Sequence, residues 1–319
     1  MIEWIENQFA TVQQWLYETV VQPLAFWAGA GNLLEVAYGG TGWLVMGVLQ
    51  IVVLLAIIGP LERLWPVQTI TDRRAVGVDV IYTLIHRLGF FKLVMYFTFG
   101  NWLEAGIGVL RAEGLPTFNI DQLWPGVTDG PLASFVLYLL VFDFVNYWFH
   151  RLEHQFNWWW ALHSLHHSQR QMTMWTDNRN HLIDDVLRGL LFAVLAIIIG
   201  VEPAQFLALV ALSQLSESFQ HANLRVWFGP VGERLWVSPR FHRLHHSIGI
   251  GHESHGRTTL GGHNFGVLLP WWDMLFGTAN FELRYDATGV RDQVEAQRDY
   301  GEGFWMQQWL GVKRLFGRA

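Results

Sequence analysis

The sequence predicts an all-α, polytopic membrane protein of about four to five spans, with a histidine-rich helical cap on the cytoplasmic side. Three observations predict it. Of 319 residues, 51% are hydrophobic and only 15% charged, whereas a soluble domain carries roughly 25% charge. Thr41–Pro60 holds no charged residue and meets the roughly 20 apolar residues that a spanning helix needs. Thirteen of the 14 His fall between His150 and His263, in clusters at helical spacing.

Composition removes several functions. A chain with 18 Trp and 22 Phe is not a disordered one, which would be poor in aromatics and rich in charge. A net charge of −6 and the lack of a long basic run exclude a nucleic-acid partner. The absence of Cys removes disulfide frameworks, thiolate metal sites, iron–sulfur clusters and Cys nucleophiles together.

The elements follow in chain order. Met1–Ala37 is acidic, carries Trp and has no basic n-region, so it reads as a segment along the outer interface, not a signal peptide. Thr41–Pro60 is the first span. Val80–Leu110 is apolar but interrupted by His86, Arg87, Lys92 and Glu104. It reads as one tilted span or as a span plus an interfacial turn. Pro131–Phe149 is the next, with Asp143 and Asn146 inside it. Val186–Gly200 and Ala204–Phe219 flank a Gly-Val-Glu-Pro turn and suggest a helical hairpin. Gly249–Gly266 reads as a loop, and Gly303–Gly317 as an amphipathic helix at the membrane surface. Residues 1–130 then form an N-terminal membrane region, 131–280 the histidine-bearing region and 281–319 a cytoplasmic tail.

Lys and Arg set the orientation. None precedes Arg63, which puts the N-terminus on the non-cytoplasmic side. Arg63, Arg73 and Arg74, then Arg151, Arg170, Arg179 and Arg188, then Arg225, Arg234, Arg240 and Arg243 mark cytoplasmic segments. Five crossings satisfy every loop, and they leave the His clusters and the C-terminus in the cytoplasm.

Three His clusters carry the chemistry. His150 and His154 are four residues apart, and residues at that spacing share a helix face. His163, His166 and His167 form a second cluster, and His242, His245 and His246 repeat its spacing. A lone His is most often an ordinary core residue; eight in this pattern point to metal. One ion takes three or four protein ligands in a zinc site, so eight suggest two ions. Imidazole suits Fe, Zn, Cu and Ni alike. His221 and His181, at the ends of the hairpin arms, are further candidate ligands. Glu217, one turn before His221, is a candidate carboxylate ligand or a partner of a ligand. Asn146 and Asp143, one and two turns before His150, are expected to orient His rings from behind. His86, His252, His255 and His263 lack paired spacing and are expected not to bind metal.

At these residues the chain resembles the fatty acid hydroxylase / sterol desaturase superfamily. The three boxes occur in order, followed by Asn264-Phe265-Gly266 and by Trp272-Asp273 with Phe276-Gly277-Thr278. The resemblance covers about Phe135 to Thr278. It implies a membrane-embedded oxygenase in which the His hold two Fe ions and O2 is the co-substrate. The product would be a hydroxylated or desaturated lipid, whether sterol, fatty acyl or related. Electrons are expected from a separate electron-transfer protein or reductase. Between the second and third boxes many members carry two further His, and here Glu217 and His221 stand at that place.

Two other classes compete. His150-x-x-Glu153-His154 also fits a zinc hydrolase signature, with Glu153 as the base that activates water. A non-enzymatic metal transporter would use the same ligands along a path. The first leaves two boxes unexplained, and the second is at odds with ligands gathered on one side.

Overall fold

The computed structural model describes residues 2–116, 118–248 and 262–318. His252, His255 and residues 249–261 of the expected loop lie outside the described residues. Among those described, the chain is helical, and strand pairing is limited to one isolated bridge between Ser247 and Thr288.

Helix α1 (Ile2–Leu16) runs through a π-helical turn, Tyr17–Val21, into a short extension, Gln22–Trp27. It packs along α2 (Gly31–Leu64), where Tyr17 and Tyr38 meet edge to face at 5.2 Å. α3 (Arg73–Arg87) follows, capped by the Asp72 carboxylate accepting from the Ala75 N–H. α4 (Phe90–Ala112) and α5 (Pro131–Gln155) come next. α2, α4 and α5 are the three described helices long and apolar enough to cross a membrane. Only 28%, 6% and 33% of their most apolar windows is buried, so most of that apolar surface faces outward, where lipid would lie.

The long apolar stretch from Val80 is therefore not one helix. α3 ends at Arg87, and Gly89 takes a left-handed φ of +82° before α4 begins at Phe90. Only a residue without a Cβ adopts that conformation cheaply. Val80–Arg87 belongs instead to a packed helix. Its Arg87 guanidinium is buried and reaches Asp177 at 2.7 Å, Ser218 at 2.9 Å and Gln50 at 3.0 Å. One side chain thus ties α2 and α3 to the helices around the histidines.

α6 (Asn157–His167) turns off the end of α5. α7 (Leu182–Ile199) and α8 (Pro203–His221) form the expected hairpin, closed by Gly200 and a Pro at the start of α8. α9 (Pro239–His245) carries the third box, and α10 (Trp271–Leu275) is a short turn behind it. α11 (Phe304–Leu315) packs on α6, with Arg314 Nε donating to the Ala161 carbonyl at 3.1 Å. It buries Gln307, Gln308, Leu310 and Arg314 and exposes Trp305 and Trp309. One apolar core joins Tyr138 and Leu139 of α5, Ile199 of α7, Leu209 of α8 and Val267–Leu269. A second joins the end of α2 to Met174, Ala222 and Leu224. The first core packs on the N-terminal half of α5, and His150 and His154 lie near its other end.

Candidate metal centre

Nine imidazoles converge in two adjacent groups. His150, His154, His163, His167 and His245 form the first; His166, His221, His242 and His246 form the second. Within each group the candidate ligand nitrogens lie within 4.8 Å of one another, and every ring is buried. The groups touch: the His167 and His246 rings stack at 4.2 Å.

Helix geometry explains the sorting. In both HxxHH boxes the first and last His are one turn apart and point the same way. His163 and His167 enter the first group, and His242 and His246 the second. The middle His of each box is turned by about 100° from the last and crosses over. His166 joins the second group and His245 the first. Each box thus serves both groups.

The donor set fits metal ions. In the second group His221 Nε2 lies 3.1 Å from His166 Nε2 and 2.9 Å from His242 Nε2, and His246 Nε2 lies 3.1 Å from His242 Nε2. Two nitrogens bound about 2.1 Å from one ion at right angles are about 3.0 Å apart. In the first group the Nε2 atoms of His163, His167 and His245 are buried without a hydrogen-bond partner. Such atoms are costly unless something coordinates them. The opposite nitrogens are held by the protein. His150 Nδ1 donates to the Phe265 carbonyl at 2.9 Å, His245 Nδ1 to His263 at 2.8 Å, and His221 Nδ1 to Glu217 at 2.8 Å. Each bond fixes the tautomer that leaves Nε2 with its lone pair inward. Burial, reinforced by the other imidazoles, holds His166, His167, His242 and His246 well below the ordinary His value, so these rings are neutral.

His181 does not join either group, although the sequence reading counts it as a candidate ligand. Its Nδ1 accepts from the Ile183 N–H at 3.2 Å, and its Nε2 lies 2.8 Å from the Gln308 carbonyl. Both nitrogens are engaged, and the ring caps α7 under α11. Glu217 is also outside both groups; its carboxylate accepts from Ser213 at 2.8 Å while its carbonyl holds His221. His86 pairs with Asp185 at 3.2 Å, away from the groups.

Two carboxylates back one of the rings. Asp184 Oδ2 and Glu153 Oε2 lie 3.4 and 3.5 Å from His163 Nδ1. Trp159 Nε1 fixes Asp184 at 2.6 Å, and Arg188 pairs with Glu153 at 3.2 Å. Asn146 Oδ1 accepts from Arg188 at 3.3 Å. Asp143 acts further back. It accepts from the Leu268 and Leu269 N–H groups and from Trp272, at 2.8, 3.1 and 2.9 Å. It thereby holds the segment whose Phe265 carbonyl positions His150. Asp184 and Arg188 carried no ligand spacing in the sequence. An acidic pair in the first turn of a hairpin arm at the depth of the boxes was their only signal.

Residues 135–278 match the family model for fatty acid hydroxylases. That match and the relatives that follow support a place in the fatty acid hydroxylase / sterol desaturase superfamily. It is 27% identical over 239 residues to an ornithine lipid hydroxylase of Rhizobium tropici, which covers 74% of this chain and 67% of that one. It is 29% identical over 154 residues to the human alkylglycerol monooxygenase, 48% of this chain and 32% of the relative. It is 27% identical over 173 residues to a Delta(7)-sterol 5(6)-desaturase of Gibberella zeae, 54% of this chain and 48% of the relative. The chain thus spans about a third to two thirds of the length of these relatives. No solved structure matches it.

The hydroxylase motif after the third box acquires a physical reason here. Asn264 sits in the left-handed region at φ 59°, and its amide donates to the Phe241 and Asn280 carbonyls at 2.9 and 3.0 Å. A Cβ on Gly266 would fall 2.8 Å from Asp273 Oδ2 and from the Leu269 carbonyl. Asp273 accepts from the Phe265 and Gly266 N–H groups and from Thr278, at 2.8, 2.7 and 2.6 Å. Burial pushes its carboxyl up to about 6 against those bonds. The motif therefore locks the Phe265 carbonyl under His150.

A cavity of about 470 Å³ adjoins the centre, between α4, α5, α7 and α8. Its walls mix aromatic and polar side chains. Phe142 packs on Phe192 at 5.7 Å and on Phe206 at 5.6 Å. Lys92 lies over the Trp43 ring at 3.5 Å on one wall.

Proposed function

We propose that this protein is a membrane-embedded di-iron oxygenase that hydroxylates or desaturates a lipid. The superfamily is one of membrane lipid hydroxylases and desaturases. The observation that carries the finer reading is the division of nine buried imidazoles into two touching groups, of five and four. His150, His154, His163, His167 and His245 would hold one iron; His166, His221, His242 and His246 the other. The four imidazoles of the second group would hold an ion through neutral nitrogens, a donor set that suits iron as well as zinc.

A pair of iron ions, when bound, supplies activation of O2. Hydroxylation consumes one O2, two electrons and two protons, places one oxygen in a C–H bond and releases the other as water. The electrons would come from a separate electron-transfer protein or reductase. The chain's own residues do the rest. The carbonyls of Phe265, His263 and Glu217 aim three rings, and Asp184 aims a fourth. The buried, largely apolar surroundings keep bulk water from the oxidant. The cavity receives the alkyl part of a lipid entering sideways from the bilayer. By the distribution of Lys and Arg, the N-terminus is non-cytoplasmic, and the centre and C-terminus face the cytoplasm.

The competing hydrolase reading needs Glu153 free to activate water. Glu153 is instead fully buried and ion-paired with Arg188. A transporter reading needs ligands spread along a path, and these are gathered at one level.

Two measurements test the proposal. Purified protein should contain two irons per chain, and lipid extracts from cells with and without the gene, grown under 18O2, should differ by one labelled or desaturated lipid. A single tightly bound zinc, or no O2-dependent lipid change, would overturn it.

A further inference from the structure

The cavity is not uniformly apolar. Its end nearest the histidines is made by Asn146, Arg188 and Glu217. Asn146 lies one turn before His150 on α5, and Glu217 one turn before His221 on α8, with its carbonyl on the His221 ring. Arg188 bonds Glu153, which lies 3.5 Å from the His163 ring. Away from that end the walls include Leu103, Phe142, Phe192, Phe206 and Leu209. The wall also carries His86, Lys92, Asp177, Asn178, Asn180 and Asp185, but Asp177 is bound by Arg87 and Asp185 by His86. Asn146, Arg188 and Glu217 are the polar wall residues linked to the histidines.

These polar groups are only partly used within the protein. Glu217 takes the Ser213 hydroxyl on Oε1, which leaves Oε2 as an acceptor. Asn146 gives its Oδ1 to Arg188, which leaves its Nδ2 as a donor. Arg188 holds Asn146 and Glu153 and so fixes the plane in which both are presented. A hydroxyl or an amide both donates and accepts and satisfies an acceptor and a donor side by side. A bare alkyl chain would leave them desolvated and unpaired, which is costly.

We propose that Asn146, Arg188 and Glu217 form a polar subsite that reads a hydroxyl or amide on the substrate, so that the lipid lies with its polar group beside the metals and its tail among the Phe rings. On the oxygenase reading above, the oxidised carbon is then within a few bonds of that polar group and not near the chain terminus. The binding preference itself does not depend on that reading.

The test uses full-length, iron-loaded protein in lipid nanodiscs and three probes of equal chain length: hexadecanamide, 1-hexadecanol and hexadecane. Binding is followed by Trp fluorescence. The amide and the alcohol should bind about tenfold more tightly than the alkane, the loss expected when a buried donor and acceptor go unpaired. Comparing the amide with the alcohol tells which group the subsite prefers. Glu217→Gln combined with Asn146→Leu should cut the preference to about twofold, with iron content measured alongside. Phe192→Ala should weaken all three probes alike. Equal affinity of the wild-type protein for all three overturns the proposal, whether or not the variants fold. So does a preference that survives the double substitution. Under 18O2, label near the polar end supports the placement, and label at the chain terminus overturns it. A clear binding preference with no labelled product leaves the subsite standing and removes the oxygenase reading alone.

Discussion

Acidification from pH 6.5 to 5.5 should destabilise the metal-free protein. His166, His167, His242, His245 and His246 are all held well below the ordinary value of 6.5, chiefly by burial. In the unfolded chain the same rings titrate near 6.5. Across that window the unfolded state therefore takes up protons that the folded state refuses. Stability rises with pH wherever the unfolded state binds more protons, so it must fall as pH drops below 6.5. For each ring the fall over that unit is about 1 kcal/mol. Five rings give about 5 kcal/mol. The buried Asp273 carboxyl, raised to about 6, takes up a proton in the folded state over the same window and offsets part of it. The net is a sizeable share of the roughly 5–15 kcal/mol that holds a typical domain together. Metal ions bind the folded state with its rings already neutral, so they should raise the whole curve and leave its slope unchanged. The assay is equilibrium unfolding in detergent micelles after chelation, followed by Trp fluorescence at pH 7.5, 6.5 and 5.5, with and without added Fe²⁺. A metal-free protein equally stable at the three pH values would refute the reasoning, because it would mean that the rings accept protons where they stand.

Single substitutions separate ligands from supports. His221→Ala leaves the second group three imidazoles, and iron content should fall from two towards one per chain, with turnover lost. His181→Ala removes a cap and no ligand. It should cost about 1 kcal/mol in unfolding free energy and leave iron content unchanged; loss of an ion would make that ring a ligand after all. Asp143→Ala strands two backbone N–H groups and the Trp272 indole. It should cost about 3–5 kcal/mol and weaken iron binding through the displaced Phe265 carbonyl.

The contrast between His221 and His181 shows where sequence reasoning reaches its limit. Both stand at hairpin ends, at one depth, and local pattern treats them alike. His221 ends its helix, so its ring lies on the face that carries Glu217, one turn away, and points at His166. His181 precedes its helix as the N-cap, and there the ring bends back to the first free N–H of α7. The partner that completes its burial, the Gln308 carbonyl, comes from a helix 127 residues later, which no local pattern reveals. The eight box histidines were legible for the opposite reason. Spacing of one helical turn is itself a statement about direction, and direction is what a ligand needs. Which ion each would serve was not legible, because that depends on how α6 and α9 face one another.

The same logic accounts for the acidic residues. Asp143 and Asn146 were visible as polar interruptions in an apolar run, a costly feature that asks for a reason. Their partners were not visible, because Asp143 works through three donors between positions 268 and 272 and Asn146 through an arginine on α7. Glu153 stood in plain view inside the first box and invited a catalytic role as a base. Its burial against Arg188 gives it a different one. With Asp184 it lines the far side of His163, and the Asp184 carboxylate makes that ring a stronger donor towards a cation on its other side. The two acids lie 3.4 and 3.5 Å from one imidazole of the five-membered group; among the described residues, no carboxylate is hydrogen-bonded to a ring of the four-membered group. Two ions in these groups would therefore sit in unequal fields. An ion held by the five rings, one of them backed by acids, would be the better stabilised in a higher charge state. An ion held by the four rings would have fewer protein ligands, and Glu217, one turn before His221, lines the cavity. On the proposed reading, that asymmetry would put the lipid on the side of the four-ring group.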